Sequence, residues 1–154
     1  RYKQVSLDAG FSFAYAQDIY NSFKQQMNRM GDYSNQTPDV AGRWKSASDP
    51  GNGLSRAAYG DPSSNGMAAD LWVEDGGYTR LKYLTLGYDL PLKTKWTFIK
   101  GIKVSITGEN LFTLTSYSGL DPEIISSSDP LLRGIDFGAS PLPKSIIFGV
   151  KVSL

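Results

Sequence analysis

Cysteine and histidine are both missing from this chain of 154 residues. Their absence removes thiolate nucleophiles, imidazole bases, disulfides and the usual zinc ligands together, which argues against an enzyme. Charge of one sign is not in excess either: 16 basic and 15 acidic residues leave a net charge of +1. The basic residues are scattered, so no footprint for nucleic acid is present, and the residues call for no cofactor. No run approaches the roughly 18 apolar residues of a membrane helix. The mean hydropathy of -0.29 does not speak against a transmembrane barrel, because barrel strands carry apolar residues only at every second position.

What is present is alternation. Val5, Leu7, Ala9, Phe11, Phe13 and Tyr15 alternate with Gln4, Ser6, Asp8, Gly10, Ser12 and Ala14, the period of a strand with one face in an apolar phase. Leu84, Leu86, Tyr88 and Leu90 repeat the pattern, as do Ile102, Val104 and Ile106, and then Ile146, Phe148, Val150, Val152 and Leu154. Four strands are expected at about 3–16, 79–90, 101–114 and 145–154. On this register Arg80 and Lys82 share the apolar face of the second strand. If that face meets lipid, they sit at the outer headgroups, within reach of lipopolysaccharide phosphates.

The connections are unequal. The first, about 17–78, holds turn formers such as Asp49-Pro50-Gly51-Asn52-Gly53 and Asp61-Pro62-Ser63-Ser64-Asn65-Gly66. It also holds a predicted helix from Asp18, as N-cap, to Met30, with Gly31 as its stop. It is far longer than a structureless loop inside a compact domain. The second connection, about 91–100, is short and the third, about 115–144, is long. Bacterial barrels pair short periplasmic turns with long extracellular loops, which orients the two long ones outward. Pattern alone allows a rival architecture, a soluble β-sandwich whose apolar faces meet each other.

Two segments carry a resemblance. Trp72-Val73-Glu74-Asp75-Gly76-Gly77-Tyr78-Thr79-Arg80-Leu81-Lys82-Tyr83-Leu84-Thr85-Leu86-Gly87-Tyr88, and Gly108-Glu109-Asn110-Leu111-Phe112-Thr113 followed by Tyr117-Ser118-Gly119-Leu120-Asp121-Pro122, resemble the C-terminal signature of the SusC/RagA family of TonB-dependent outer-membrane transporters. The resemblance implies an all-β fold: an antiparallel transmembrane β-barrel segment, the last four strands of a barrel of about 22. It departs from the usual pattern at the end, where Leu154 stands in place of a terminal aromatic. The chain opens on Arg1 without an initiator Met or export signal, and the expectation is a C-terminal piece of a longer exported polypeptide.

What the resemblance implies for function is import across the outer membrane of a Gram-negative bacterium. The implied partners are the remainder of the transporter (plug and earlier strands), a SusD-like surface lipoprotein acting as a lid, TonB through the missing N-terminal part, and lipid or lipopolysaccharide. The cargo would be an oligosaccharide or a peptide. The candidate contact residues in this chain are Trp44, Tyr59 and Trp72 in the first long loop and Tyr117 at the mouth of the second, flat side chains that can stack on sugars or bury apolar groups. The same four can instead anchor the loops to the barrel rim or to the lid. Glu74-Asp75 is no pair of catalytic carboxylates, since neighbours in a strand point to opposite faces. The rival reading is a soluble carbohydrate-binding β-sandwich module.

Overall fold

The computed structural model describes residues 2–92, 98–123 and 129–154. Residues 93–97 of the expected short connection, and 124–128 of the second long loop, lie outside them. The chain divides into two compact units, one made of 2–16, 77–116 and 141–154, the other of 17–76 and 117–140. Among the described residues no helix is long and apolar enough to cross a membrane, which says nothing of a β-barrel.

The first unit is one antiparallel sheet. Its strands are β1 (Val5–Ala14), β4 (Tyr78–Leu90), β5 (Gly101–Thr115) and β7 (Ser145–Ser153), in the spatial order β1-β4-β5-β7. Every hydrogen-bonded neighbour is thus the next long strand along the chain, an up-and-down meander. One face carries the apolar set: Leu7 pairs with Leu86, Leu86 with Ile106, and Ile106 with Phe148. That row is a continuous apolar band, and among the described residues it stands open: Leu7 is 65% exposed, Phe148 78% and Val150 72%.

Two bulges correct the expected face of Arg80. In the β1–β4 ladder Gly10 pairs with Tyr83 but Phe11 pairs with Leu81, so Lys82 is an extra residue. One inserted residue reverses which side chains lie on which face. Beyond Lys82 the apolar face therefore carries Leu81 and Thr79, and Arg80 moves to the opposite face, across from Ser12. There its guanidinium is buried at 3% exposure, donates from Nε to Thr113 Oγ1 at 2.8 Å and lies 5.7 Å from the centre of the Tyr78 ring. A cation on the apolar band would have to be desolvated without a partner, and the bulge avoids this. A second bulge in β5 lies opposite Lys82, where Leu81 pairs with Phe112 and Tyr83 with Glu109. Asn110 takes a positive φ of 50° there, a conformation that asparagine tolerates better than most residues.

The second unit is built on a small sheet of order β3-β2-β6, from β2 (Asp18–Asn21), β3 (Val73–Asp75) and β6 (Ile135–Asp136). The helix predicted from Asp18 is much shorter. Asp18 to Tyr20 pair antiparallel with β3, and Tyr20 and Asn21 pair in parallel with β6; the helix α1 covers only Ser22–Asn28. Asn21, not Asp18, caps it, accepting from the Lys24 N–H at 2.8 Å. Ile19 and Tyr20 suit a strand, and pairing on both sides outweighs the weak helical preference of the segment. The helix stops at Asn28, where the Thr37 hydroxyl donates to Asn28 Oδ1 and the Thr37 N–H to the Met27 carbonyl.

Candidate functional site

The second unit collects the polar side chains that sequence reading left dispersed. Its hub is Glu74 on β3. Oε2 accepts from the Ser118 N–H at 2.9 Å, and Oε1 accepts from the Ser118 hydroxyl at 2.8 Å, the Lys24 ammonium at 3.0 Å and the Asn21 amide at 3.3 Å. Burial opposes its charge, but the Ser118 hydrogen bonds and Lys24 outweigh burial and hold the carboxyl below its ordinary range. Glu74 thereby ties together three segments distant in sequence: the first helix turn, β3, and the start of the second long connection. It also joins the two sequence segments that carry the family resemblance.

A second anchor lies behind it. The Tyr117 hydroxyl donates to Asp136 Oδ2 at 2.7 Å, while Asp136 Oδ1 accepts from the N–H groups of Gly138 and Ala139 at 2.8 and 3.2 Å. Burial, then the Asp136 carboxylate, push the Tyr117 phenol above its ordinary range, so it stays a donor at physiological pH. Gly76 has no room for a side chain, because a Cβ there would come within 2.3 Å of Ile19. Its N–H donates to the Gln17 carbonyl at 2.8 Å, and the Gln17 amide returns a bond to the Gly76 carbonyl at 2.6 Å.

The four aromatic residues named from the sequence are not gathered in one place. Trp72 and Tyr117 are buried at 4% and 6% exposure. Trp44 is half-buried in a tight loop, where its N–H donates to the Leu54 carbonyl at 2.9 Å. Tyr59 is exposed, and its ring stands 5.4 Å from that of Tyr33, also exposed. Tyr33 was not singled out by sequence; the bond from the Gly60 N–H to the Gly31 carbonyl, which the sequence does not announce, joins the segments that carry the two rings. Among the described residues no group of three acidic side chains is placed to hold a metal ion.

Cavities open in this unit among the described residues. A groove of about 190 Å³ is lined by Phe23, Lys24, Met27, Asp39 and Leu120, among others. A smaller one, of about 30 Å³, is lined by Asn28, Arg29, Arg56, Asp61 and Trp72 with their neighbours.

The class that this architecture defines is a section of an outer-membrane-type antiparallel barrel wall, with a folded loop unit. The particular likeness follows from comparison with known proteins. No protein-family model matches the sequence. TonB-dependent receptor P3 of Formosa agariphila is 27% identical over 158 aligned residues, covering 99% of this chain and 15% of the receptor. The TonB-dependent receptor SusC of Bacteroides thetaiotaomicron is 30% identical over 113 residues, covering 66% of this chain and 10% of SusC. Solved structures of the RagAB peptide transporter, and of that importer in its open-open state, each superpose with a TM-score of 0.75 over 99% of this chain and 16% of the matched chain, at 24% and 21% identity. This chain is therefore similar, from end to end, to TonB-dependent receptors of the SusC/RagA type, and its fold is that of a fragment of such a transporter barrel. It spans about one-sixth or less of the length of these relatives.

Proposed function

We propose that this chain supplies wall and outer loops to a TonB-dependent outer-membrane importer of a Gram-negative bacterium, as the last four strands of a barrel of about 22. The observation that carries the reading is the bare apolar band of a meander sheet whose two central strands are long enough to span. The 13 residues of β4 and 15 of β5 extend about 44 and 51 Å, or roughly 31 and 36 Å along the membrane normal at a tilt near 45°. Each is enough to cross a hydrocarbon core of about 30 Å. Four strands cannot close on themselves, and every backbone group in lipid needs a partner, so the free edges of β1 and β7 pair with strands supplied by the rest of the transporter.

In this reading the connections 17–78 and 115–144 lie outside the cell. There they shape the mouth of the barrel, and a SusD-like lipoprotein closes over them as a lid to deliver a glycan or a peptide. TonB acts through the part of the polypeptide that carries the plug. Tyr59 and Trp44 are the aromatic candidates for cargo or lid contact, while Trp72 and Tyr117 serve as the loop unit's own core. A soluble sandwich module is not favoured, because it needs a second layer over the apolar band.

The experiment is mass spectrometry of the detergent-solubilised complex purified through this chain. Recovery of a larger polypeptide with plug and further strands, together with a surface lipoprotein, supports the importer. Recovery of a lone, monodisperse 154-residue chain without detergent would overturn it.

A further inference from the structure

The 30 Å³ cavity of the loop unit is unusual in the groups that wall it. Asn28 and Trp72 are 3% and 4% exposed. Their side-chain donors, Asn28 Nδ2 and Trp72 Nε1, have no acceptor among the described residues. The Asn28 carbonyl oxygen is taken by the Thr37 hydroxyl, which leaves the amide nitrogen as the end to be satisfied. A buried N–H without an acceptor is costly and uncommon in folded proteins. Two residues with such a donor wall the same small cavity, which marks a place for an acceptor.

The other charged groups on its wall decide what kind of acceptor. Arg29 and Arg56 line the same cavity. The single carboxylate there, Asp61, already has both oxygens engaged, Oδ1 by the Asn65 N–H at 2.7 Å and Oδ2 by the Gly66 N–H at 2.8 Å. Two arginines, and two residues that each hold an unpaired N–H donor, thus line the cavity together with one carboxylate that is already hydrogen-bonded. The volume admits a group about the size of one or two waters, enough for the head of a carboxylate and too small for a sugar ring.

From these residues we infer that the cavity is a carboxylate-binding site, in which Arg56 and Arg29 meet the charge and Asn28 Nδ2 and Trp72 Nε1 donate to its oxygens. Planar, bidentate recognition of carboxylates is what arginine does best. As a statement about cargo, this rests on the importer reading: the ligand taken up would carry an acidic group, either the free carboxyl of a short peptide or that of a uronic acid. Residues of this one unit supply the whole site, so binding itself needs neither TonB nor uptake.

The test is isothermal titration calorimetry on the full-length transporter purified in detergent. Four probes are titrated: trialanine with a free carboxylate, its C-terminal amide, digalacturonate, and neutral digalactose. At least one acid should bind, with its neutral counterpart about tenfold weaker or more, as expected for hydrogen bonds to a charged group; which acid binds identifies the source of the carboxylate. Trp72→Phe and Arg56→Gln should each raise Kd about tenfold, and Asn28→Asp, which swaps the free donor for an acceptor in the same shape, should abolish binding. Should Trp72→Phe disturb the fold, Arg56→Gln decides, since Arg56 is exposed. Equal binding of acid and neutral probes, no binding of either acid, or an unchanged Kd for Arg56→Gln would overturn the inference. Uptake is measured separately, in cells with and without TonB. TonB-dependent uptake without acid discrimination sinks the carboxylate site and leaves the importer standing, while acid discrimination without TonB-dependent uptake does the reverse.

Discussion

The Tyr117 phenol donates to Asp136 Oδ2 at 2.7 Å with both side chains more than nine-tenths buried. Asp136 also closes the turn that follows it, through the Gly138 and Ala139 amides. Tyr117→Phe removes one bond and leaves a buried carboxylate oxygen with one donor fewer, a loss of about 1–3 kcal/mol. Asp136→Ala removes the bonds from Tyr117, Gly138 and Ala139 together and is expected to cost more. In the full-length chain both variants should raise hydrogen exchange across 117–123 and 135–140 while the amides of β1 and β5 keep their protection. Uniform loss of protection in both units would refute the assignment.

Glu74 makes the loop unit sensitive to acid. Its carboxyl titrates lower in the folded chain than its reference value of 4.5. A group with a depressed folded pKa contributes stability that is present above the unfolded value and is lost as pH falls through the folded one. The contacts among Lys24, Glu74 and Ser118 should therefore hold at neutral pH and loosen in acid. Limited proteolysis of the connections 17–78 and 115–144 at pH 7 and at decreasing pH checks this. Glu74→Gln should be more readily cleaved at neutral pH and show a flatter dependence on acid.

The ring of Tyr83 lies across Gly10. A Cβ at Gly10 would come within 2.3 Å of the ring, and the two are cross-strand partners next to the bulge at Lys82. An aromatic ring laid over a strand glycine covers backbone that has no side chain of its own. Gly10→Val should expel the ring and cost about 1–3 kcal/mol. Urea unfolding of the full-length barrel in lipid vesicles would show it, and adding Tyr83→Ala should relieve part of the clash, making the pair non-additive.

The alternation in β1 and β7 was legible because every second residue answers to the same apolar phase. Arg80 was misplaced for the same reason: period two was carried through Lys82, whereas a bulge depends on what the neighbouring strands do and leaves no local mark. Asp18 to Asn21 read as the start of a helix because their strand partners, Val73 to Asp75 and Ile135 to Asp136, lie more than fifty and a hundred residues away. The segments around Glu74 and Ser118 stood out in the sequence, but the bonds between their side chains did not. The carboxylate cavity left no pattern at all, since Asn28, Arg56 and Trp72 come from three separate segments of one long connection.

The two faces of β7 offer the sharpest contrast. Val150 pairs with Val104 on the apolar band, and Lys151 pairs with Lys103 on the opposite face. If the band meets lipid, Val150→Arg places a charge in hydrocarbon and should destabilise the barrel by about 2–4 kcal/mol near the midplane. Lys151→Gln removes one of two like charges that stand directly across from each other, an arrangement unfavourable in itself, and should be neutral or mildly stabilising. Folding titrations of the full-length barrel into vesicles measure both. Equal tolerance at the two positions would mean that the band does not face lipid, and the membrane-spanning assignment of all four strands would fall with it, because Leu7, Leu86, Ile106 and Phe148 lie on the same face of one continuous ladder.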